Sequence, residues 1–456
     1  MKASLRKIVF LAIIYFAVLG WAESSWAASW IGKTCTPGSF TSAEVSTCLA
    51  EAASKTGEII IQLPTGTSIG TWSMVSVNMS SWTTPTKLTI QGNGITNTII
   101  SLPTAPYAFA FTGKSGIPFR LTGIEFSGTN VHGAHNQTIT IGGNCTNWRI
   151  DNNHFYRTKN GNDIWVTTYN NWGVIDSNIF EDSSQEGITP QYGNSDAIAS
   201  WTDVLTPGSA NAVYIENNTF TYTSNYASGG IHVVTGFLGS RYVFRSNTIT
   251  LNDGTEFDSV IDMHSSYYIS GLGYDATRWT EVYNNNVSGT SVGWALNWRG
   301  GNGIAFSNTF SDTQRDCIVL GGDNMLAAYC ANLTACPYPN PGQMTTGYMW
   351  SNSCRGTPNT APYVKADNYI RNYIQINRDY NIPTSGVYAD KPATCTHTDG
   401  YINKGYWATD QNKLYICTGM NNWTAYYTPY TYPHPLTLAR SGDATPPAAP
   451  QGLSVK

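Results

Sequence analysis

The sequence predicts an all-β solenoid, a chain wound into stacked coils of short strands, and three observations predict it. One phrase recurs through the middle of the 456 residues: WRIDNNHF, WGVIDSNIF, AVYIENNTF, RYVFRSNTI, TEVYNNNV and IAFSNTF each carry an asparagine, one spacer and a large apolar residue. A second apolar phrase lies between the copies, in NDIWV, SDAIAS, GGIHVV, SVIDMHSS, WALNWRGG and RDCIVLGG. The composition agrees: 43 glycines, 28 tyrosines, 15 tryptophans and only 12% charged residues describe a β-rich, weakly charged chain.

Aligned, the phrases place Asn153, Asn178, Asn218, Asn247, Asn285 and Asn308 two positions before Phe155, Phe180, Phe220, Ile249, Val287 and Phe310. Copies stand 23 to 40 residues apart. A coil of about 23 residues, with loops of variable length at its corners, accounts for that spacing. Asparagine tolerates the left-handed backbone of a sharp bend, and its amide both donates and accepts. Such side chains, stacked coil on coil, bond along a column and stay satisfied while buried. Asparagine is also a common turn residue, but six copies in one relation to a following apolar residue need a shared cause. On these residues the sequence resembles the right-handed parallel β-helix proteins of the pectate-lyase-like superfamily. The resemblance implies a right-handed parallel β-helix (solenoid) with an N-terminal capping helix and about 4.8 Å of rise per coil. Glycine corners at Gly229-Gly230, Gly300-Gly301 and Gly321-Gly322 supply the positive φ angles that bends require.

In chain order, residues 1–27 read as a secretory signal peptide, with Lys2, Arg6 and Lys7 before the apolar run from Ile8 to Trp21, and with small residues at Ser25 and Ala27. Cleavage after Ala27 gives a secreted protein with no membrane segment in its mature form. It also removes those three basic residues and Glu23, so the formal charge of −4 becomes −6. An acidic chain of this kind is a poor nucleic-acid binder. Residues 28–57 form the cap: Thr41 to Glu44 make a capping box, and Val45, Leu49 and Ala52 follow at helical spacing. The β-helix is assigned to 58–387, a C-terminal hairpin module and final strand to 388–440, and a Pro/Ala-rich linker tail to 441–456. The module carries the aromatic GYWATDQNKLYICTGMNNW. Nine cysteines fit an oxidising compartment. Cys35 with Cys48 and Cys395 with Cys417 are expected local pairs. Cys317, Cys330, Cys336 and Cys354 allow two more, with Cys145 left over. Connectivity among them stays open.

Alternation along the second phrase assigns the candidate site. Ile164, Ile231, Ile261, Met263 and Leu296 are expected to face inward. Trp165, His232, Asp262, His264, Asn297 and Arg299 then face outward on neighbouring coils. Two of only seven histidines fall in this patch. Aromatic rings with a polar rim suit the C–H faces of sugars; Trp165, Tyr267 and Tyr268 are candidates, whereas the parity of Trp298 points inward.

Glycoside hydrolysis usually needs two facing carboxyl groups, and only Asp262 lies on the outward row, with Asp258 and Glu256 just before it. The paired aspartates and Gly-His-Gly segment of polygalacturonases are absent. Elimination at a uronic acid needs a base and a neutraliser of the carboxylate. The segment VIDMH is similar to the Asp-His strand of pectate lyases, with Met263 inserted. That resemblance implies Arg299 or His264 as base, and Asp262 with Asp258 and Glu256 binding Ca2+ or orienting the base; the outward row adds His232 as a catalytic candidate and Asn297 as a substrate contact. The segments YVFRSN, VIDMH, WRGG, INRDY and YPHPL also resemble bacterial exported β-helix proteins of unassigned activity. The expected protein is thus a polysaccharide lyase acting on a uronic-acid-containing glycan. The alternatives are a glycoside hydrolase on the same scaffold and a non-catalytic, tailspike-like β-helix that binds a glycan ligand.

Overall fold

The computed structural model describes residues 28–438, except 103–106, 129–136, 159–160, 184–185, 224–231, 253–256, 265–275, 290–291, 312–315, 322–343, 365–373 and 399–401. The proposed signal peptide, the linker tail, Tyr267, Tyr268, Glu256, Ile231 and the pairing of Cys330 and Cys336 lie outside the described residues. So does the Asp258 side chain.

The chain is a right-handed parallel β-helix. Each full turn contributes one strand to each of three sheets, here called A, B and C, of thirteen, eleven and ten strands. Sheet A includes Trp172–Asp176, Val213–Glu216 and Arg241–Arg245; sheet B includes Ile179–Glu181, Thr219–Tyr222 and Thr248–Leu251; sheet C includes Glu186–Pro190, His232–Gly236 and Phe257–Met263. Within the stack the pairing is parallel and mostly in register, as in Phe155 with Phe180 and Phe180 with Phe220. The apolar residue two after each asparagine therefore fills one inner column. Phe155, Phe180 and Phe220 stack there with centroids 4.7 and 4.5 Å apart.

The asparagine column is built as the repeat predicts and is longer by one. The side chains of Asn153, Asn178, Asn218, Asn247, Asn285, Asn308 and Asn352 run in series, each Nδ2 donating to the next Oδ1 at 2.9–3.2 Å. Each Oδ1 also accepts the backbone N–H of the preceding asparagine, as in Asn218 N to Asn247 Oδ1 at 3.0 Å. Asn352 carries the same signal with Cys354 as its apolar partner. One expectation needs correcting: the left-handed backbone is not on the ladder asparagines but on the residue before each. Asn152, Ser177, Asn217, Ser246, Asn284, Ser307 and Ser351 have φ of 53–57°. The bend and the buried amide are thus separate duties of adjacent positions. Gly301 does take a left-handed φ of 72°, where an added Cβ would lie 1.7 Å from Thr277 O.

The N-terminal end is closed by helix α1, Ser42–Ala52, capped by Thr41 Oγ1 accepting from Glu44 N at 3.3 Å. Its buried Val45, Leu49 and Ala52 join the core, and Cys48 bonds Cys35. Cys317–Cys354 and Cys395–Cys417 also form, and Cys145 is buried and free. Among the described residues, no helix is long and apolar enough to cross a membrane. The segment SDAIAS, expected as a rung, is instead part of helix α2, Asn194–Thr202. Its alanines and serines lack the β-branched side chains that favour strands, and the rung at that level is Glu186–Pro190. Helix α2 packs outside the coil, where Arg241 reaches it through Nε to Ser200 Oγ at 3.1 Å.

The module after the stack is an antiparallel hairpin, Lys413–Gly419 with Asn422–Tyr427, extended by Gly405–Ala408 and Thr384–Gly386. The expected final strand is absent among the described residues. Residues 428–438 instead form a strap across the outer face of sheet A, ending in a short 3-10 turn, Pro435–Thr437. One outward column there reads Asp151, Asp176, Glu216, Arg245, Tyr283, Phe306 and Trp350. Arg245 Nη1 and Nη2 donate to Tyr430 O and Thr431 O at 2.8 and 2.9 Å, and His434 N donates to Glu216 Oε1 at 2.8 Å. The strap therefore covers sheet A around Glu216 and Arg245.

Candidate functional site

The residues singled out from the sequence lie on the outer side of sheet C, and the way its strands bend decides how they are arranged. In three successive rungs two consecutive residues enter the core: Val233 with Val234, Val260 with Ile261, and Ala295 with Leu296. Strict alternation fails at this bend. His232 and Thr235, Ser259 and Asp262, and Trp294 and Asn297 are therefore three apart in sequence yet lie on the outer side. Register then aligns Thr235, Asp262 and Asn297 across three coils.

At the centre is Asp262, with no solvent exposure. Arg299 grips it through both oxygens, Nε to Oδ1 at 2.8 Å and Nη2 to Oδ2. Thr235 Oγ1 donates to Oδ2 at 3.1 Å. His232 Nε2 stands 3.8 Å from the same oxygen, while its Nδ1 lies 2.8 Å from Ser259 O and 3.0 Å from Ser259 Oγ. Burial alone would raise the Asp262 carboxyl, but Arg299 and the two imidazoles outweigh it and hold the group well below the usual range. Asp262 is therefore ionised throughout the physiological range.

His264 is partly buried, its backbone N–H donating to Gly236 O at 3.0 Å and its ring 5.3 Å from that of Phe237. Burial lowers its imidazole to about 4; the pull of Asp262 upward is outweighed, and Arg299 and His232 add to the lowering. The ring is consequently neutral at pH 7 and can accept a proton. Arg299 is partly exposed, its side chain 16% accessible, so the centre of the patch meets solvent through its cation.

Of the residues singled out from the sequence, His232, Asp262 and Arg299 converge directly, and His264 adjoins them electrostatically. Asn297 neighbours Asp262 in register but is buried. Trp165 lies on the same outward column three coils away, roughly 14 Å along the axis. Trp298 is fully buried, as its parity indicates. Three polar residues of this face were not foreseen: Ser259, Thr235 and Glu186, the last paired in register with His232. Glu186 was hidden because the rung was assigned to 195–200. Its signal, an Ile188 two positions on, is short and interrupted by Gly187. Among the described residues, no cluster of three or more histidine, cysteine or acidic side chains is arranged to hold a metal. Arg299 bonds both Asp262 oxygens, and the other two acidic residues assigned to calcium, Glu256 and the Asp258 side chain, lie outside the described residues.

No protein-family profile and no curated protein sequence matches the chain. Among solved structures, ORF18 of Geobacillus virus E2 is similar at 13% identity and a TM-score of 0.33, over 85% of this chain and 65% of that one. The catalytic domain of a GH87 α-1,3-glucanase in complex with tetrasaccharides is similar at 10% identity and a TM-score of 0.28, over 74% and 66% respectively. The chain thus spans a little under two thirds of each of these two structures. Likenesses at this level carry no argument about its chemistry.

Proposed function

We propose that the outer face of sheet C binds an acidic polysaccharide and cleaves it by β-elimination at a uronic acid residue. The observation that carries this reading is the pairing of a buried, ionised Asp262 with a partly exposed Arg299, beside an imidazole that is neutral at pH 7. Asp262 holds the guanidinium in place and charged. Arg299 neutralises the sugar carboxylate and so acidifies the adjacent C5–H. Neutral His264 takes that proton, the C4–O bond breaks, a C4–C5 double bond forms, and the departing oxygen is protonated from solvent. His232 and Thr235 keep Asp262 oriented. Of the two bases the sequence suggests, the clamp on Arg299 favours His264. No step is routed through calcium.

His264→Gln is expected to lower turnover by at least about 100-fold, the usual contribution of a positioned base, with the thermal melt unchanged. The assay is release of unsaturated uronate from a panel of acidic polysaccharides, with and without a chelator. Wild-type protein that releases none across the panel refutes the lyase reading. A base must be unprotonated to act, and burial puts His264 at about 4. The acid limb of kcat/KM is therefore expected near pH 4 rather than at the ordinary histidine value of about 6.5. A limb at 6.5 would assign the base elsewhere. A second reading, glycan binding without cleavage, is favoured by Trp165, whose partly exposed ring lies on the same column. Binding of an intact polysaccharide that Trp165→Ala abolishes, with no product formed, would establish it.

A further inference from the structure

A second concavity lies at the C-terminal end of the stack, where the hairpin module meets the last coil. Its volume is about 520 Å³, within the range of small-ligand sites. Trp423, Lys404, Asn377, Thr384, Thr394 and Thr396 are among its lining residues, and among the described residues no carboxylate lines it. The floor is fixed by local bonds. Asn381 Oδ1 accepts from Gly405 N at 2.9 Å and its Nδ2 donates to Asn377 Oδ1 at 3.0 Å, tying module to coil. The disulfide Cys395–Cys417 anchors the wall that bears Thr394 and Thr396.

The Trp423 indole N–H donates to Pro392 O at 2.9 Å and Lys391 Nζ lies 5.8 Å from the ring centroid, which together pin the orientation of the ring at the pocket. Three threonine hydroxyls and the Asn377 amide offer short, uncharged hydrogen-bonding groups around it. Lys404 is exposed, and among the described residues its ammonium has no ion pair. One aromatic plate, several hydroxyls and an exposed lysine select a ligand with an apolar face, a rim of hydroxyls and a negative charge. We propose that this pocket is a binding site for one or two residues of a carboxylate-bearing sugar, a hexuronate. The site is proposed to bind without turnover: among the described lining residues there is no carboxylate or imidazole to act as a base. It does not depend on the sheet C reading, since it shares no residue with that face.

The test is titration calorimetry on the full chain with glucuronic and galacturonic acids and with their neutral counterparts glucose and galactose. Uronate binding is expected to exceed neutral-sugar binding. Lys404→Gln is expected to weaken the uronate about tenfold or more, the usual range for a lost charge-assisted hydrogen bond. Trp423→Ala should remove binding of both, and circular dichroism checks that the module still folds; Trp423→Phe, which keeps a plate, should restore part of the affinity. With Arg299→Lys in the background, which weakens any uronate binding on sheet C, the Lys404-dependent part of the titration should persist. Equal affinity for charged and neutral sugars, indifference to Lys404→Gln, loss of the Lys404-dependent part in the Arg299→Lys background, or no binding at all would each overturn the proposal.

Discussion

Arg245→Ala is expected to cost about 3–5 kcal/mol of stability, the range for stranding one partner of a buried ion pair. Arg245 and Glu216 have no exposed side-chain surface, and Arg245 Nε and Nη2 both lie 2.6 Å from Glu216 Oε2. The same guanidinium donates to Tyr283 OH at 2.8 Å and to two strap carbonyls, and the rings of Tyr214 and Tyr432 lie 4.8 and 5.2 Å from it. Removing it leaves a carboxylate in a dry site and cuts the bonds that seat the strap. Urea unfolding should show a lower midpoint, and hydrogen exchange should show residues 428–438 losing protection together with 213–216. Arg245→Met with Glu216→Met, which removes both charges and keeps the volume, should recover most of the loss. If the single variant melts like the wild type, the pair does not hold the strap.

The second large effect is expected at the ladder. In Asn247→Ala, Asn218 N loses its acceptor and Ile215 O its 2.9 Å donor, all within the core. Each stranded buried group costs about 1–3 kcal/mol, so about 2–5 kcal/mol in total is expected. Asn284→Ala, one position before a ladder residue, tests a different quantity. It strains a left-handed φ of 57° but leaves the column intact, and about 1 kcal/mol is expected from that strain. A differential melt of the two variants separates the buried amide from the bend. Equal losses would contradict the division of labour between adjacent positions.

Much of this architecture was legible because the ladder imposes a local signature. An asparagine two residues before a Phe, Ile or Val is visible in any window, and the Thr41 cap is a contact within one turn. What escaped detection depends on geometry that a period of two cannot express. At Val233 and Val234 the strand bends so that consecutive residues both enter the core. His232 and Asp262 then share a face for a reason alternation does not contain. Helix α2 interrupts the rhythm of the coils, so Glu186 was passed over. The cover on sheet A was invisible for another reason: His434 meets Glu216 across 218 positions, and no local pattern links YPHPL to that column. Contacts at such separation are set by the rise of the coil and the path of the strap, not by residues that neighbour either end.

That long return has a consequence for biosynthesis. A coil stack can in principle assemble from its N-terminus as the polypeptide emerges, each rung templating the next. The two neighbouring rungs bearing Glu216 and Arg245 are an exception. Their acidic and basic groups are not fully enclosed until Tyr430 and His434, 185 and 218 positions later, arrive to close the seam. Ribosome-bound chains halted before Tyr430 should therefore be cut by protease near Arg245 while the earlier rungs already resist it.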